Sequence, residues 1–263
     1  MARAEGKPPG FATIAFLSSG TPEADAAMAR LADCYGNADP EEAAALVALG
    51  GDGLMLQVLH RFMGSGKPIF GMNRGSVGFL MNDYAEGRLH ERLGAAEPSM
   101  VHPLIMRATS RSGEVSTARA INEVSLLRQS SQVAKLKISI DGRERLSELV
   151  ADGLLVATPA GSTAYNLSAD GPILPLGAPL IALTPISAFR PRRWRGALLS
   201  DKAAVTIEVL EAEKRPVAAT ADHYEVKDVI RIEIVMDHAT GLVLLHDPGH
   251  SLDERIVREQ FVH

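Results

Sequence analysis

Apolar positions fall in two textures along this 263-residue chain. Up to about residue 100, short apolar runs alternate with stretches of helical spacing. Thr13–Leu17 reads as a buried strand. Ser18–Thr21 reads as a turn, with Thr21 an N-cap and Pro22 at the first helical position, leading into an alanine-rich helix over Glu23–Cys34. A second strand over Ala43–Leu49 runs into Gly50. Leu54–Met63 then reads as a helix with Leu54, Leu56, Val58, Leu59 and Phe62 apolar, and Ile69–Met72 as a third strand after the connection Gly64–Pro68. Strands alternating with helices predict an α/β domain, a parallel sheet with flanking helices.

Beyond residue 100 the spacing changes. Alternating segments recur at Ile105–Thr109, Val115–Leu127, Leu136–Ile140, Leu154–Thr158, Val205–Leu210, Val229–Val235 and Leu242–His246, punctuated by Gly, Pro and Asp-Gly. No long helical pattern interrupts them, which predicts an all-β domain of two packed sheets. The tail Leu252–Phe261 again reads as a helix. The expected division is an α/β nucleotide-binding domain over 1–99, a β-rich domain over 100–249, and a C-terminal helix over 250–263 packed back on the first. Pro98 marks the boundary.

Composition narrows the function classes. Apolar residues make up 46% of the chain and the net charge is −5, which suits a folded protein and argues against nucleic acid as a partner. No apolar run approaches the roughly 20 residues of a membrane span. Phe11–Leu17, preceded by Lys7-Pro8-Pro9-Gly10, is better read as a first strand than as a signal-peptide core. Cytoplasmic location and no membrane partner are therefore expected. Cys34, the single cysteine, is expected as a packed thiol in its helix.

The chemistry concentrates in four places. Gly50-Gly51-Asp52-Gly53 sets one carboxylate among three residues without Cβ, between a strand and a helix. Such a turn admits positive φ angles and close approach by a ligand, and the amides of the following helix favour phosphates. A carboxylate there suits the proton acceptor of a phosphoryl transfer to a hydroxyl. The plainer reading is an ordinary turn with Asp52 as N-cap. Gly71–Leu80, carrying Asn73 and Gly75, is a second glycine turn expected at the same sheet edge. Gly50, Gly51, Asn73 and Gly75 are thus the phosphate-turn candidates. Asn122-Glu123 interrupts an apolar strand pattern and suits a ribose diol and a base, or else a surface-facing pair at a strand end. Asp152–Ser168 runs a strand into a turn dense in Gly, Ser, Thr and Tyr, whose amides, hydroxyls and ring suit a flat polar ligand. Arg190–Arg195 could face phosphates or a partner subunit, or be a solvated loop. His246 and His250 read as loop histidines, and no metal-ligand spacing is present.

Together these blocks resemble the NAD kinase family, in that family's order, most closely over residues 45–190. The resemblance implies Asp52 as catalytic base, with Asp52-Gly53 close to the NAD ribose. It implies Asn122 and Glu123 on the adenosine part, and Asp152, Ala160, Thr163, Ala164, Tyr165, Asn166, Leu167 and Ser168 lining the dinucleotide pocket. It further implies ATP and NAD as substrates, a divalent cation (Mg²⁺), an active site between the two domains, and a homo-oligomer, dimer or tetramer. The sequence departs from the family pattern at Asp170 and at Asp222-His223-Tyr224, which puts contacts from the latter loop in doubt. A lipid kinase of the diacylglycerol type sharing the Gly-Gly-Asp-Gly turn, or a non-catalytic dinucleotide sensor, are the rival readings.

Overall fold

The apolar runs of the first hundred residues become β1 (Ile14–Ser18), β2 (Ala45–Gly50) and β3 (Ile69–Asn73), joined by α1 (Pro22–Tyr35) and α2 (Asp52–Arg61). The computed structural model describes residues 11–75, 78–192 and 194–249. These divide into two units, one running to residue 101 and resuming at 240, the other spanning 102–239. The C-terminal helix expected over 250–263 lies outside the described residues.

In the first unit β1 pairs parallel with β2, and β2 with β3. All six residues of β2 are buried, as a strand covered on both faces requires. Thr21 caps α1 by accepting from the Ala24 amide, Pro22 opens it, and Gly36 at φ 74° ends it. The buried stripe of α1 is Ala24, Ala27 and Leu31. Its last turn packs Tyr35 against the core, so Cys34 is exposed and is not the packed thiol expected. The short α3 (Leu89–Ala95) buries Leu89 and Leu93 into the same cluster.

Two strands complete this sheet and change its character. β17 (Leu242–His246) pairs parallel with β3 and antiparallel with β4 (Glu97–Val101), giving the order β1-β2-β3-β17-β4. The sheet is therefore mixed rather than wholly parallel. Leu242–His246 belongs to this sheet, not to the β-rich region. Pro98 sits inside the edge strand β4, where a missing N–H is tolerated. His246 is a fully buried strand residue rather than a loop histidine.

The second unit is two six-stranded antiparallel sheets. One has the order β12 (Ala197–Ser200), β11 (Leu180–Ile186), β10 (Gly153–Ala157), β7 (Glu123–Arg128), β14 (Val217–Ala221), β15 (Tyr224–Val226). The other runs β6 (Val115–Ala120), β5 (Leu104–Ser110), β16 (Val229–Met236), β13 (Val205–Val209), β8 (Ala134–Ile140), β9 (Arg143–Ala151). Strict in-out alternation, as in β8, aims one face of each sheet at a shared core. Leu104, Met106, Ile232 and Ile234 meet Val124, Leu126, Leu154 and Val156 there. The single strand expected over Val115–Leu127 is two strands, broken at Ile121-Asn122. A 3-10 turn (Ala160–Thr163) and the one-turn α4 (Tyr165–Ser168) follow β10.

Candidate functional site

Gly50 closes β2 opposite Asn73 in the parallel register, so the two glycine turns leave the sheet side by side at its carboxyl edge. The Arg74 amide donates to the Gly50 carbonyl at 2.8 Å. Asn73 Oδ1 accepts from the Gly75 amide at 2.9 Å, and a Cβ on Gly75 would lie 3.7 Å from Gly51 Cα. Gly50, Gly51, Asp52, Gly53, Asn73 and Gly75 are thus brought together. Ser76 and Val77 of the second turn lie outside the described residues.

Asp52 is not the N-cap of α2; Gly51 is. The carboxylate instead spans to the second turn, accepting the Phe79 amide on Oδ2 at 2.7 Å and the Leu80 amide on Oδ1 at 2.8 Å. No side-chain pattern signals those two amide partners, which is why sequence reasoning did not single them out. The positive φ expected of the first turn is absent, since Gly50, Gly51 and Gly53 all lie outside that region. Gly50 is needed for packing, because a Cβ there would come within 2.9 Å of Leu54 Cδ2. At exposed Gly53 a Cβ would meet nothing within 4 Å. Its missing side chain therefore leaves open space beside Asp52 without serving the fold.

In the second unit, Asn122 and Glu123 are gripped from two sides. Asp222, at φ 50°, accepts the amides of Ile121, Asn122 and Glu123 at 2.7, 3.0 and 3.3 Å. This loop therefore clamps the backbone of residues 121–123 through Asp222. From the other side the Thr158 amide donates to the Asn122 carbonyl and its hydroxyl to the Ile121 carbonyl. A Cβ on Gly161 would run into the Asn122 backbone.

The Glu123 carboxyl is held with Oε2 buried and unpartnered. Burial first, and the negative Asp222 second, push this acid up to about 7, while the Tyr165 amide pulls the other way. The Tyr165 phenol is raised by burial, then by the charges of Glu123 and Asp152. Those three groups therefore share one neighbourhood. Asp152 is paired with Arg128, Nε to Oδ1, at 2.6 Å; Arg128 gave no motif signal.

The hydroxyl-rich turn is largely spent on itself. Ser162 Oγ donates to the Pro159 carbonyl at 2.7 Å and accepts the Leu174 amide at 3.0 Å. Asn166 is fully buried. Its Nδ2 donates to the carbonyls of Ser162 and Pro172, and its Oδ1 accepts the Thr184 hydroxyl at 2.7 Å. Both ends of the Asn166 side chain are thus engaged, Nδ2 by carbonyls of the turn and Oδ1 by Thr184 of β11. Ala160 is buried, Thr163, Ala164 and Tyr165 are half-buried, and Leu167 and Ser168 are exposed. Arg190 is part of the fold, its backbone bridging to Val150, and Trp194 packs on the core. Arg193 and His250 lie outside the described residues.

Among the described residues no three His, Cys, Asp or Glu side chains converge to hold a metal ion. No helix among them is long and apolar enough to cross a membrane.

Comparison with known proteins bears on both units. The ATP-NAD kinase N-terminal domain family matches residues 20–86, and the ATP-NAD kinase C-terminal domain family matches 121–238. The chain is 59% identical to the NAD kinase of Caulobacter vibrioides over 256 residues, covering 97% of this chain and 98% of the relative. It is 58% identical to the NAD kinase of Rhizobium meliloti over 251 residues, covering 95% and 98%. Among solved structures, yeast NADH kinase complexed with NADH superimposes with a TM-score of 0.80 at 22% identity, covering 94% of this chain and 86% of that one. An Archaeoglobus fulgidus NAD kinase in complex with ATP does so with a TM-score of 0.73 at 22% identity, covering 94% and 96%. Neither rival reading is favoured by these matches. With a carboxylate pinned between two glycine turns and full-length relatives at this identity, the chain belongs to the NAD kinase family.

Proposed function

We propose that this protein transfers the γ-phosphoryl group of ATP to the 2′-hydroxyl of the adenosine ribose of NAD, giving NADP and ADP. The observation that supports this reading is Asp52, a carboxylate held by the Phe79 and Leu80 amides at the edge where the two glycine turns meet. In the transfer, the ribose oxygen forms a bond to the γ-phosphorus as the bond to the bridging β–γ oxygen breaks. The hydroxyl proton passes to Asp52, and ADP leaves. In a loose transition state the nucleophile's bond is barely formed, so the proton is collected late and no free alkoxide is needed. The two backbone amides hold the acid still, which favours positioning over driving force as the source of rate. Amides of the glycine turns offset charge on the transferring group.

Asn122 and Glu123 are proposed to hold the adenosine ribose and base. Asp152, Ala160 and residues 163–168 are proposed to line the rest of the dinucleotide, with Asn166 acting through the shape of the turn. A divalent cation is expected with ATP, where it neutralises phosphate charge. The described residues offer it no cage of their own, so it would come as a companion of the nucleotide. A homo-oligomer, dimer or tetramer, and a cytoplasmic location complete the reading. Exposed Phe189 and Leu198 are supporting surface for self-association.

The test is purified protein with NAD, ATP and Mg²⁺, read by an NADP-specific enzyme. NADP formation that depends on all three is expected. Phosphorylation of a lipid instead, or dinucleotide binding without turnover, would replace the proposal with one of its rivals.

A further inference from the structure

Arg74 stands in the second glycine turn, one residue beyond β3. Its own amide is fixed on the Gly50 carbonyl at 2.8 Å, and the next residue, Gly75, abuts Gly51. The base of this side chain is therefore locked to the turn that carries Asp52. Its guanidinium sits over Tyr84, with Cζ 4.3 Å from the ring centroid, a contact that suits a cation on a ring face. Yet Nε is buried and has no hydrogen-bond partner. No carboxylate pairs with Arg74 among the described residues. Glu86, whose ionisation Arg74 favours through space, is already in contact with Arg30 Nε at 2.6 Å and the Tyr84 hydroxyl at 3.0 Å.

A buried guanidinium N–H without an acceptor is costly, and nothing in the packing explains keeping one beside a glycine turn. Phosphate oxygens would supply the missing acceptor, and the fork of Arg matches them in pairs. We propose that Arg74 grips the polyphosphate chain of the phosphoryl donor, with Tyr84 as the platform that fixes its plane. This rests on the kinase reading given above and adds a donor-side contact to it. The ring covers one side of the guanidinium, and the turn sets its distance from Asp52. Arg74 is then the residue that lines up the donor while Asp52 serves the acceptor.

The experiment uses the full chain and its Arg74→Gln, Arg74→Lys, Tyr84→Leu and Tyr84→Phe variants. Arg74→Gln should raise the KM for ATP by about ten- to a hundredfold, the worth of a charged hydrogen bond, and leave the KM for NAD within about twofold. Arg74→Lys should fall between, because it keeps charge but not the fork. Tyr84→Leu should raise the KM for ATP and Tyr84→Phe should not, since only the ring is needed. Binding of adenylyl-imidodiphosphate and of tripolyphosphate, measured by calorimetry, should weaken in parallel. These two probes test the proposal even if the unsubstituted protein forms no NADP, an outcome that would sink the kinase reading alone. Unchanged binding of both probes by Arg74→Gln, a shift in the KM for NAD instead, or a fall in Tm as its only effect would each overturn the role of Arg74.

Discussion

The glycine turns of the first unit and the hydroxyl-rich turn of the second both advertise ligand chemistry, but they use their residues in opposite ways. In the first, the side chains are missing and the backbone does the work. Asp52 is the acid left standing, and the amides of Phe79 and Leu80 donate to it. In the second, the side chains are present and mostly turned inward. Thr158, Ser162, Asn166 and Thr184 are buried and bonded to one another or to nearby carbonyls. Density of polar residues is therefore a weak sign of ligand contact where the fold spends those groups on its own carbonyls and amides.

The strongest break of this contrast is Asp52→Asn. Turnover should fall by about 10² to 10⁴, the range for losing a general base. The structure adds that this variant is not silent in stability. One of the two amides, Phe79 or Leu80, would face an NH₂ donor, at a cost of about 1–3 kcal/mol. A thermal melt beside single-turnover rates separates the two losses. Near-normal turnover would remove Asp52 from the role of base.

A glycine pair sharpens the comparison next. Gly161→Ala should destabilise by about 2–4 kcal/mol, because its Cβ enters the Asn122 backbone. Gly53→Ala should leave stability unchanged or raised by up to about 1 kcal/mol, as glycine is a poor residue inside α2, while reducing kcat/KM. Denaturant unfolding of both variants checks this. If Gly53→Ala keeps full activity, the open space beside Asp52 is not ligand space.

Glu123 gives a pH-dependent test. Its folded pKa of about 7 exceeds the ordinary value of 4.5. Stability from this group is therefore fully present below pH 4.5 and is lost as pH rises through 7. Glu123→Gln removes that loss, so its stability advantage over the unsubstituted chain should grow across this window. It should level off above pH 7 at on the order of 1–3 kcal/mol. The same variant should raise the KM for NAD more than it lowers kcat, because ribose contacts exist in both ground and transition states. Melts at pH 5 and pH 8 give the slope, and a parallel pH dependence in the two proteins would contradict it. The smallest effect on substrate binding is expected of Thr184→Val, which takes the donor from Asn166 Oδ1 and should cost about 1–2 kcal/mol of stability with the KM for NAD little changed.

Local pattern carried much of the fold, and the failures have a common cause. β1 to β3, α1 and α2 were legible because an apolar run between turns, or an apolar stripe opened by Thr21-Pro22, is a short-range signal. β9 was not, because Arg143–Ala151 is an edge strand with most of its first six side chains exposed, so charges sit where alternation would show. β14 was not, because Val217–Ala221 is small residues buried nearly throughout. β17 looked like one more strand of the β-rich region, and only its pairing with β3 and β4 assigns it elsewhere.

From the amino-acid order alone came the kind of chemistry: a lone carboxylate among glycines, an Asn-Glu pair in an apolar strand, and the block order that resembles a kinase family. Those are properties of residue type and spacing, which the chain carries before it folds. Which polar groups remain available was decided by tertiary structure. Hydrogen-bond partners such as Asp222 for residues 121–123, Thr184 for Asn166, and Phe79 and Leu80 for Asp52 are distant in sequence. A donor or acceptor is counted as spent or spare only once such partners meet.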